Sequence, residues 1–299
     1  MKLNVIHKIR IVLLTVLQHF HFIPDALYLR LYYLVATGKQ LHLNPPRTFN
    51  EKIQWLKLYD RRPDYTIIAD KIAAKDYARQ RIGERHIIPT LFTYKKTNEI
   101  DFDKLPEQFV LKCTHDSGSV IVCKDKAHLD RKTAIEKLNN SLQSPYFYKA
   151  REWAYRHISP KIICEPLLKS STGDTLSDYK IYCFGGTPKL IHVDIDRFGH
   201  HRKNFYTTKW QQLNLEITFP SADTEIPCPA ELDEMLQMAA TLAEGFPFMR
   251  VDFYDADGCL YFGELTPYPG AGKSRIKPDK WDLEMGTWIK LPHTKTHAD

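Results

Sequence analysis

One stretch constrains this chain more than any other: Met249-Arg250-Val251-Asp252-Phe253-Tyr254, a turn at Asp255-Ala256-Asp257-Gly258, then Cys259-Leu260-Tyr261-Phe262-Gly263-Glu264-Leu265. Both runs are β-prone, and a polar turn ending in Asp-Gly between such runs predicts an antiparallel hairpin. Residues two apart on a strand share a face, so Arg250 and Asp252 lie together and Glu264 can face Asp252 across the pair. Two carboxylates and a guanidinium then meet. That group suits a hard divalent cation whose other ligands are phosphates, with arginine covering charge that develops as a phosphoryl group moves. A solvated hairpin with ordinary acids is the plain alternative, and the hairpin alone does not separate the two.

Composition narrows the field. With 299 residues, 43% of them apolar, the chain can form one large domain or two smaller ones around a real core. Its 42 basic and 36 acidic residues are intermixed and the net charge is only +6, so nothing in the charge calls for nucleic acid. The six cysteines (Cys113, Cys123, Cys164, Cys183, Cys228, Cys259) form no CxxC pair and sit mostly in apolar runs. Reduced thiols and a cytoplasmic setting follow, in place of a disulfide frame or zinc site.

The apolar run 11–17 follows Lys2, Lys8 and Arg10 but is too short to span a bilayer, covering about 10 Å of the roughly 30 Å required. Two short helices are expected here, the second from an Asp25 cap to Gly38. They either pack on the main domain, the favoured reading, or lie in a membrane interface at its inner face beside a lipid-linked substrate.

Thr48-Phe49-Asn50-Glu51 has the capping-box pattern and opens a helix toward Asp60, and a second helix is expected over 69–81. From Ile87 the pattern turns to short strands at 87–91, 109–113, 120–123 and 161–165, with a helix near 131–142. After a polar linker at 169–174 come strands at 178–184 and 189–195, a helix near 230–244, the hairpin, and a last helix near 279–289. The expected division is a helical segment (1–68), a small lobe with its leading helix (69–168), a large lobe (169–292) and a tail (293–299). His200-His201-Arg202-Lys203 reads as a solvated loop.

In order along the chain stand Asp70-Lys71, Phe109-Val110-Leu111-Lys112-Cys113-Thr114-His115-Asp116-Ser117-Gly118, Glu165-Pro166-Leu167-Leu168, Asp178-Tyr179-Lys180-Ile181-Tyr182-Cys183-Phe184-Gly185-Gly186, Arg250-x-Asp252 and Gly263-Glu264-Leu265-Thr266-Pro267-Tyr268-Pro269-Gly270. This series resembles the ATP-grasp superfamily, and with Asn44 to Lys57 it is similar to the teichuronopeptide-biosynthesis (TupA-like) polysaccharide family. The resemblance implies an α+β fold of two lobes with ATP between them and Mg²⁺ at Asp252 and Glu264. It implies that Lys71 and Lys112 reach the phosphates, that Ser117 and Gly118 form a lid over them, and that Glu165 with the backbone of Pro166, Leu167 and Leu168 holds adenine. Lys180 and Arg197 sit where ribosomal-protein glutamate ligases and glutathione synthetases keep cations for the acceptor or the moving phosphate. A cross-strand ion pair is the alternative for each.

Independently of the resemblance, Lys112 interrupts an apolar strand, where an unpaired ammonium is costly, so a partner is required. Against the resemblance, Thr266 departs from the Glu-x-Asn pattern common elsewhere in the superfamily, which leaves it only a weak candidate for metal. Pro269-Gly270-Ala271-Gly272 with Lys273 and Arg275 either greets an anionic acceptor or is a plain loop. His115-Asp116-Ser117 holds the residue types of a hydrolase triad, but neighbours on one tight turn cannot share a proton path.

The function expected is a carboxylate–amine ligase working through an acylphosphate and joining an amino acid, as small-molecule amine, to a uronic acid of a surface polysaccharide or its precursor. A kinase acting on a sugar hydroxyl and a non-catalytic nucleotide-binding subunit of polysaccharide assembly are the rivals.

Overall fold

A computed structural model describes residues 5–170, 176–195 and 200–293. Helices α1 (Val5–Leu17) and α2 (Asp25–Thr37) come first. Gly38 stops α2 as expected: it takes φ 75°, and its N–H donates to Leu34 O. The start of α2 differs. Asp25 is the first helical residue and caps nothing, because its carboxylate pairs with Arg61 at 2.7 Å and Arg151 at 3.3 Å. Cationic partners of this kind outcompete a neutral N–H.

Helix α3 (Phe49–Tyr59) opens on the full capping box, Thr48 Oγ1 accepting from Glu51 N–H and Glu51 Oε2 from Thr48 N–H. A short α4 (Asp64–Ala69) follows. Asp70 then caps α5 (Lys71–Ile82), accepting from Ile72 N–H at 2.9 Å, and so fixes where Lys71 stands.

The next elements are β1 (Phe92–Tyr94), β2 (Phe109–Cys113), β3 (Ile121–Cys123), α6 (Arg131–Gln143), α7 (Phe147–Ala150) and β4 (Ile162–Pro166). Their strands form an antiparallel sheet in the order β1-β4-β2-β3. The strand expected over 87–91 is displaced to β1, and Ile87 makes only a lone bridge to Phe262. Pro89 has no N–H for a ladder, which accounts for the shift.

The remainder comprises β5 (Ser177–Phe184), β6 (Thr187–Ile195), β7 (Arg202–Thr207), β8 (Glu216–Ile217), α8 (Leu232–Ala243), β9 (Phe248–Ala256), β10 (Cys259–Thr266), β11 (Ile276–Lys277) and α9 (Lys280–Trp288). A five-stranded antiparallel sheet runs β10-β9-β5-β6-β7, and β8 pairs with β11. The solvated loop expected at 200–203 holds only in part. His200 and Arg202 are exposed, but Arg202 and Lys203 open β7 opposite Ile195 and Asp194, and His201 and Lys203 meet the Asp194 carboxylate. Linker residues 171–174 and tail residues 294–299 lie outside the described residues.

Alternation sorts each sheet into two faces. Phe109, Leu111 and Cys113 of β2 pack with Leu138 of α6, leaving Lys112 on the other face. Ile181, Cys183, Val251 and Phe253 enter a core with Met235, Ala239 and Leu242 of α8. Across the same sheet, Phe184 and Phe248 meet Phe49 of α3, while Asp178, Lys180 and Asp252 are also buried. Residues of α3, α4 and α5 therefore share a core with the five-stranded sheet. Tyr28, Leu29, Tyr32 and Tyr33 of α2 form a separate cluster with Leu58 and Ala150.

Candidate active site

The hairpin is closed by Asp257 and Gly258, with φ 55° and 81°, the two left-handed residues that a type I′ turn requires. Asp255 Oδ1 accepts from Gly258 N–H at 2.8 Å and steadies it. A bulge between Phe262 and Glu264 then resets the register so that Glu264 faces Asp252 and Thr266 faces Arg250. Without that extra residue Gly263 would oppose Asp252 and Glu264 would turn to the other face. Glycine suits this position, since a Cβ would crowd Asp252 O at 3.1 Å and a Tyr254 ring carbon at 3.2 Å.

Arg250 ties the group together. Its Nε and Nη2 donate to the two Asp252 oxygens at 2.7 and 2.8 Å, and Nη2 also donates to Glu264 Oε1 at 2.7 Å and Thr266 Oγ1 at 3.0 Å. Burial pushes the Asp252 carboxyl up to about 7, against the pull of Arg250 and Lys180. For Glu264 burial also acts upward, but Arg250 and Lys71 outweigh it and hold the group at about 2. The Glu264 side chain is 46% exposed, whereas that of Asp252 is 6% exposed.

On the adjacent strand Lys180 pairs in register with Asp252. Its Nζ contacts Asp178 and lies 2.9 Å from Asp194 Oδ2 and 3.9 Å from Asp252 Oδ2. Asp194 also meets His192 at 3.1 Å, His201 at 2.6 Å and Lys203 at 3.8 Å. Burial lowers His192 to about 3, so its ring is neutral. Arg197, expected beside this group, lies outside the described residues.

The four-stranded sheet supplies cations. Lys112 finds the partner its strand position demands in Glu165 Oε2 at 2.6 Å, and Lys75 pairs with the other Glu165 oxygen while donating to Thr90 Oγ1 at 2.9 Å. Burial raises the Glu165 carboxyl, but the two ammonium groups outweigh it and leave it below its ordinary value. Sequence reasoning missed Lys75. Its signal was the four-residue spacing from Lys71, which places both on one side of α5. Pro166 ends β4 opposite Phe109, and Leu167 and Leu168 continue from it half-buried.

Lys71 opens α5 beside the end of the strand that carries Lys112. Its N–H donates to Thr114 O at 3.2 Å, and its Nζ donates to Asp116 O with Asp116 Oδ1 at 3.9 Å. Burial lowers the Lys71 pKa; Asp116 opposes that, Lys112 reinforces it and Glu264 opposes it. Lys71, Lys112 and Glu264 therefore share one electrostatic neighbourhood. Asp116, a second residue missed, accepts from Ser119 Oγ at 2.6 Å and from Ser141 Oγ, organising a turn that leaves Ser117 and Gly118 exposed with Gly118 at φ 111°. His115 faces Ser141 O at 3.1 Å and forms no triad. Burial pushes the Cys113 thiol up, so it is no thiolate.

Among the described residues, no group of three or more His, Cys, Asp and Glu side chains could hold a metal ion. Asp252 and Glu264 fit the other kind of site, in which one or two carboxylates hold Mg²⁺ and phosphates complete its shell. Thr266 Oγ1 donates to Glu264 Oε1 at 3.0 Å and orients it.

Cations on one antiparallel sheet and an arginine-clamped acid pair on another, joined through a capped helix, constitute an ATP-grasp architecture. The chain belongs to the TupA-like ATPgrasp family, which matches residues 51–290. No curated protein matches it. Similar solved structures include D-alanine–D-alanine ligase from Bacillus anthracis, at 19% identity and TM-score 0.43 over 82% of this chain and 71% of that one. The ATP-grasp ligase PsnB with its minimal precursor matches at 13% identity and TM-score 0.39, over 73% of this chain and 60% of that one. N5-carboxyaminoimidazole ribonucleotide synthetase (purK) with ADP matches at 13% and 0.42, over 68% and 45%. The chain thus spans 60% of the PsnB ligase length. Among the described residues no helix is long and apolar enough to cross a membrane.

Proposed function

We propose that this protein is an ATP- and Mg²⁺-dependent carboxylate–amine ligase. Lys71 and Lys112 bind the triphosphate, Ser117 and Gly118 cover it, and the backbone of Pro166, Leu167 and Leu168 holds adenine while Glu165 fixes Lys112. Asp252 and Glu264 hold Mg²⁺, which neutralises phosphate charge. A substrate carboxylate attacks the γ-phosphorus and ADP leaves, giving an acylphosphate. An amine nitrogen then attacks the acyl carbon, the C–O bond to phosphate breaks, and the amine proton is lost as the amide forms. Arg250 and Lys180, with Arg197, stabilise the transferring phosphoryl group, and exclusion of water protects the intermediate.

By family resemblance, the carboxylate belongs to a uronic acid of a surface polysaccharide or its precursor and the amine to an amino acid. The observation that carries the reading is the placement of Lys71 by the Asp70 cap of α5: its N–H donates to Thr114 O just after the strand of Lys112, while Ala74 and Ala78 of the same helix share a core with Val251 and Phe253 of the strand that bears Asp252. A triphosphate bound at Lys71 and Lys112 would then lie toward the sheet of the proposed metal carboxylates.

The test is a screen of uronic acids and amino acids with ATP, read by phosphate release and mass spectrometry. A ligase releases phosphate only with both substrates present and yields a product lighter than their sum by one water. Phosphate retained on a sugar would establish the kinase instead.

A further inference from the structure

We propose that α1 and α2 dock the protein on an anionic lipid surface through an apolar face that protein packing leaves open. On α1, Ile9, Val12, Leu13 and Val16 follow the i, i+3, i+4, i+7 spacing of one helical stripe and are exposed, Val12 at 60%. Leu14 and Leu17 of the same helix instead pack against the cluster formed by α2. On α2, Leu27, Leu31 and Leu34 repeat the arrangement, exposed while Tyr28, Leu29, Tyr32 and Tyr33 are buried. Phe22, in the connection, is 82% exposed. Each helix therefore carries two apolar faces and uses one for the fold.

Charge selects the occupant. Residues 1–39 contain Lys2, Lys8, Arg10, Arg30 and Lys39 against one acid, Asp25, so most of the chain's net +6 resides in this segment. Asp25 is itself held by Arg61 and Arg151. Lys39 meets Asp279 in solvent at 3.3 Å, and Arg10 Nη1 donates to Ala36 O within the segment. An apolar stripe among cations fits anionic headgroups over an acyl boundary. A second copy fits poorly, since a twofold contact sets the same positive patch against itself. Each 13-residue helix is about 20 Å long, short of the roughly 30 Å needed to span, so the pair lies in the interface plane.

The full chain is tested by co-sedimentation with phosphatidylcholine vesicles with and without phosphatidylglycerol, no ATP added. Binding is expected with phosphatidylglycerol and to fall roughly tenfold when it is omitted or salt is raised. The Val12→Asp/Val16→Asp variant, and independently Leu27→Gln on α2, should lose binding and keep the parent circular dichroism and phosphate release. Failure of the parent to bind, or equal binding by both variants, overturns the proposal. So does a dimer in light scattering that the variants abolish without any vesicle binding. Vesicle binding needs no nucleotide, so the docking proposal and the ligase reading fail separately.

Discussion

Asp252→Asn should stabilise this protein at neutral pH while abolishing its turnover. Asp252 ionises at about 7 in the fold, against an ordinary 3.8, chiefly because of burial. A carboxyl whose folded value is raised favours the fold fully below the ordinary value, and that advantage is lost as pH rises toward the folded one. At about 1.4 kcal/mol per pH unit, the gap between 3.8 and about 7 amounts to about 4 kcal/mol at pH 7. Asparagine reproduces the shape of the neutral acid and still accepts a hydrogen bond from Arg250, so the variant should escape this loss. For a chain of this size, about 4 kcal/mol corresponds to a melting temperature higher by on the order of 8 °C.

The assay is urea or thermal unfolding of parent and variant at intervals from pH 4 to pH 8. The two proteins should be similar near pH 4 and diverge steadily to pH 7, the variant being the more stable. Phosphate release by the same variant should be lost at every pH, since the amide oxygen carries no charge for Mg²⁺. Parallel stability curves would show that Asp252 ionises at its ordinary value and that the burial argument is wrong.

Other substitutions probe the neighbouring groups. Arg250→Ala removes a preorganised charged donor and should lower kcat/KM by about 3 kcal/mol, roughly a hundredfold, in the coupled phosphate assay; normal turnover removes its assigned role. Lys57 donates to Gln54 Oε1 at 3.1 Å, Ala150 O at 3.1 Å and Ala271 O at 2.6 Å, and burial lowers it to about 8 against the pull of Glu152. Lys57→Met removes the first of the two cations, Lys57 and Lys273, that act on the buried Glu152 carboxyl and unpairs the Ala150 carbonyl, so urea unfolding should show a loss of about 3 kcal/mol. Glu264, held at about 2 against an ordinary 4.5, contributes stability above pH 4.5 that is lost as pH falls toward 2. Glu264→Gln should flatten that acid limb of the melting-temperature profile.

What the sequence made legible was local. The capping box at Thr48, the α2 stop at Gly38 and the Asp-Gly turn each depend on a few consecutive residues, and all are present. The facing of Asp252 and Glu264 was also legible, though for an incomplete reason: simple alternation around that turn would not produce it, and the bulge at Gly263 does. The roles of Lys75 and Asp116 are not legible locally because they depend on Glu165 and Lys71, many residues away. The basic run at 200–203 read as solvated for the same reason. Nothing local announces that β6 places Asp194 beside it. Pattern shows where a charge stands on its own element, but register and sheet order decide which charge it meets.

That distinction bears on how the site could work. Among the described residues, the cations proposed for the nucleotide each already contact a carboxylate or a carbonyl: Lys112 on Glu165, Lys71 on the Asp116 backbone, Arg250 on Asp252 and Glu264, Lys180 on Asp178 and Asp194. Buried charges must be compensated, so a site able to bind both phosphate and metal has to store partners for each sign when neither is bound. On the proposed reading, metal and triphosphate bound together would exchange partners without leaving a charge exposed: Asp252 and Glu264 would hold the metal in place of Arg250, and the guanidinium would pair with phosphate. Either component alone would strand one half of the set. The proposed site would therefore favour the metal–nucleotide complex over free ATP or free metal, through the same side chains that are proposed to act in transfer.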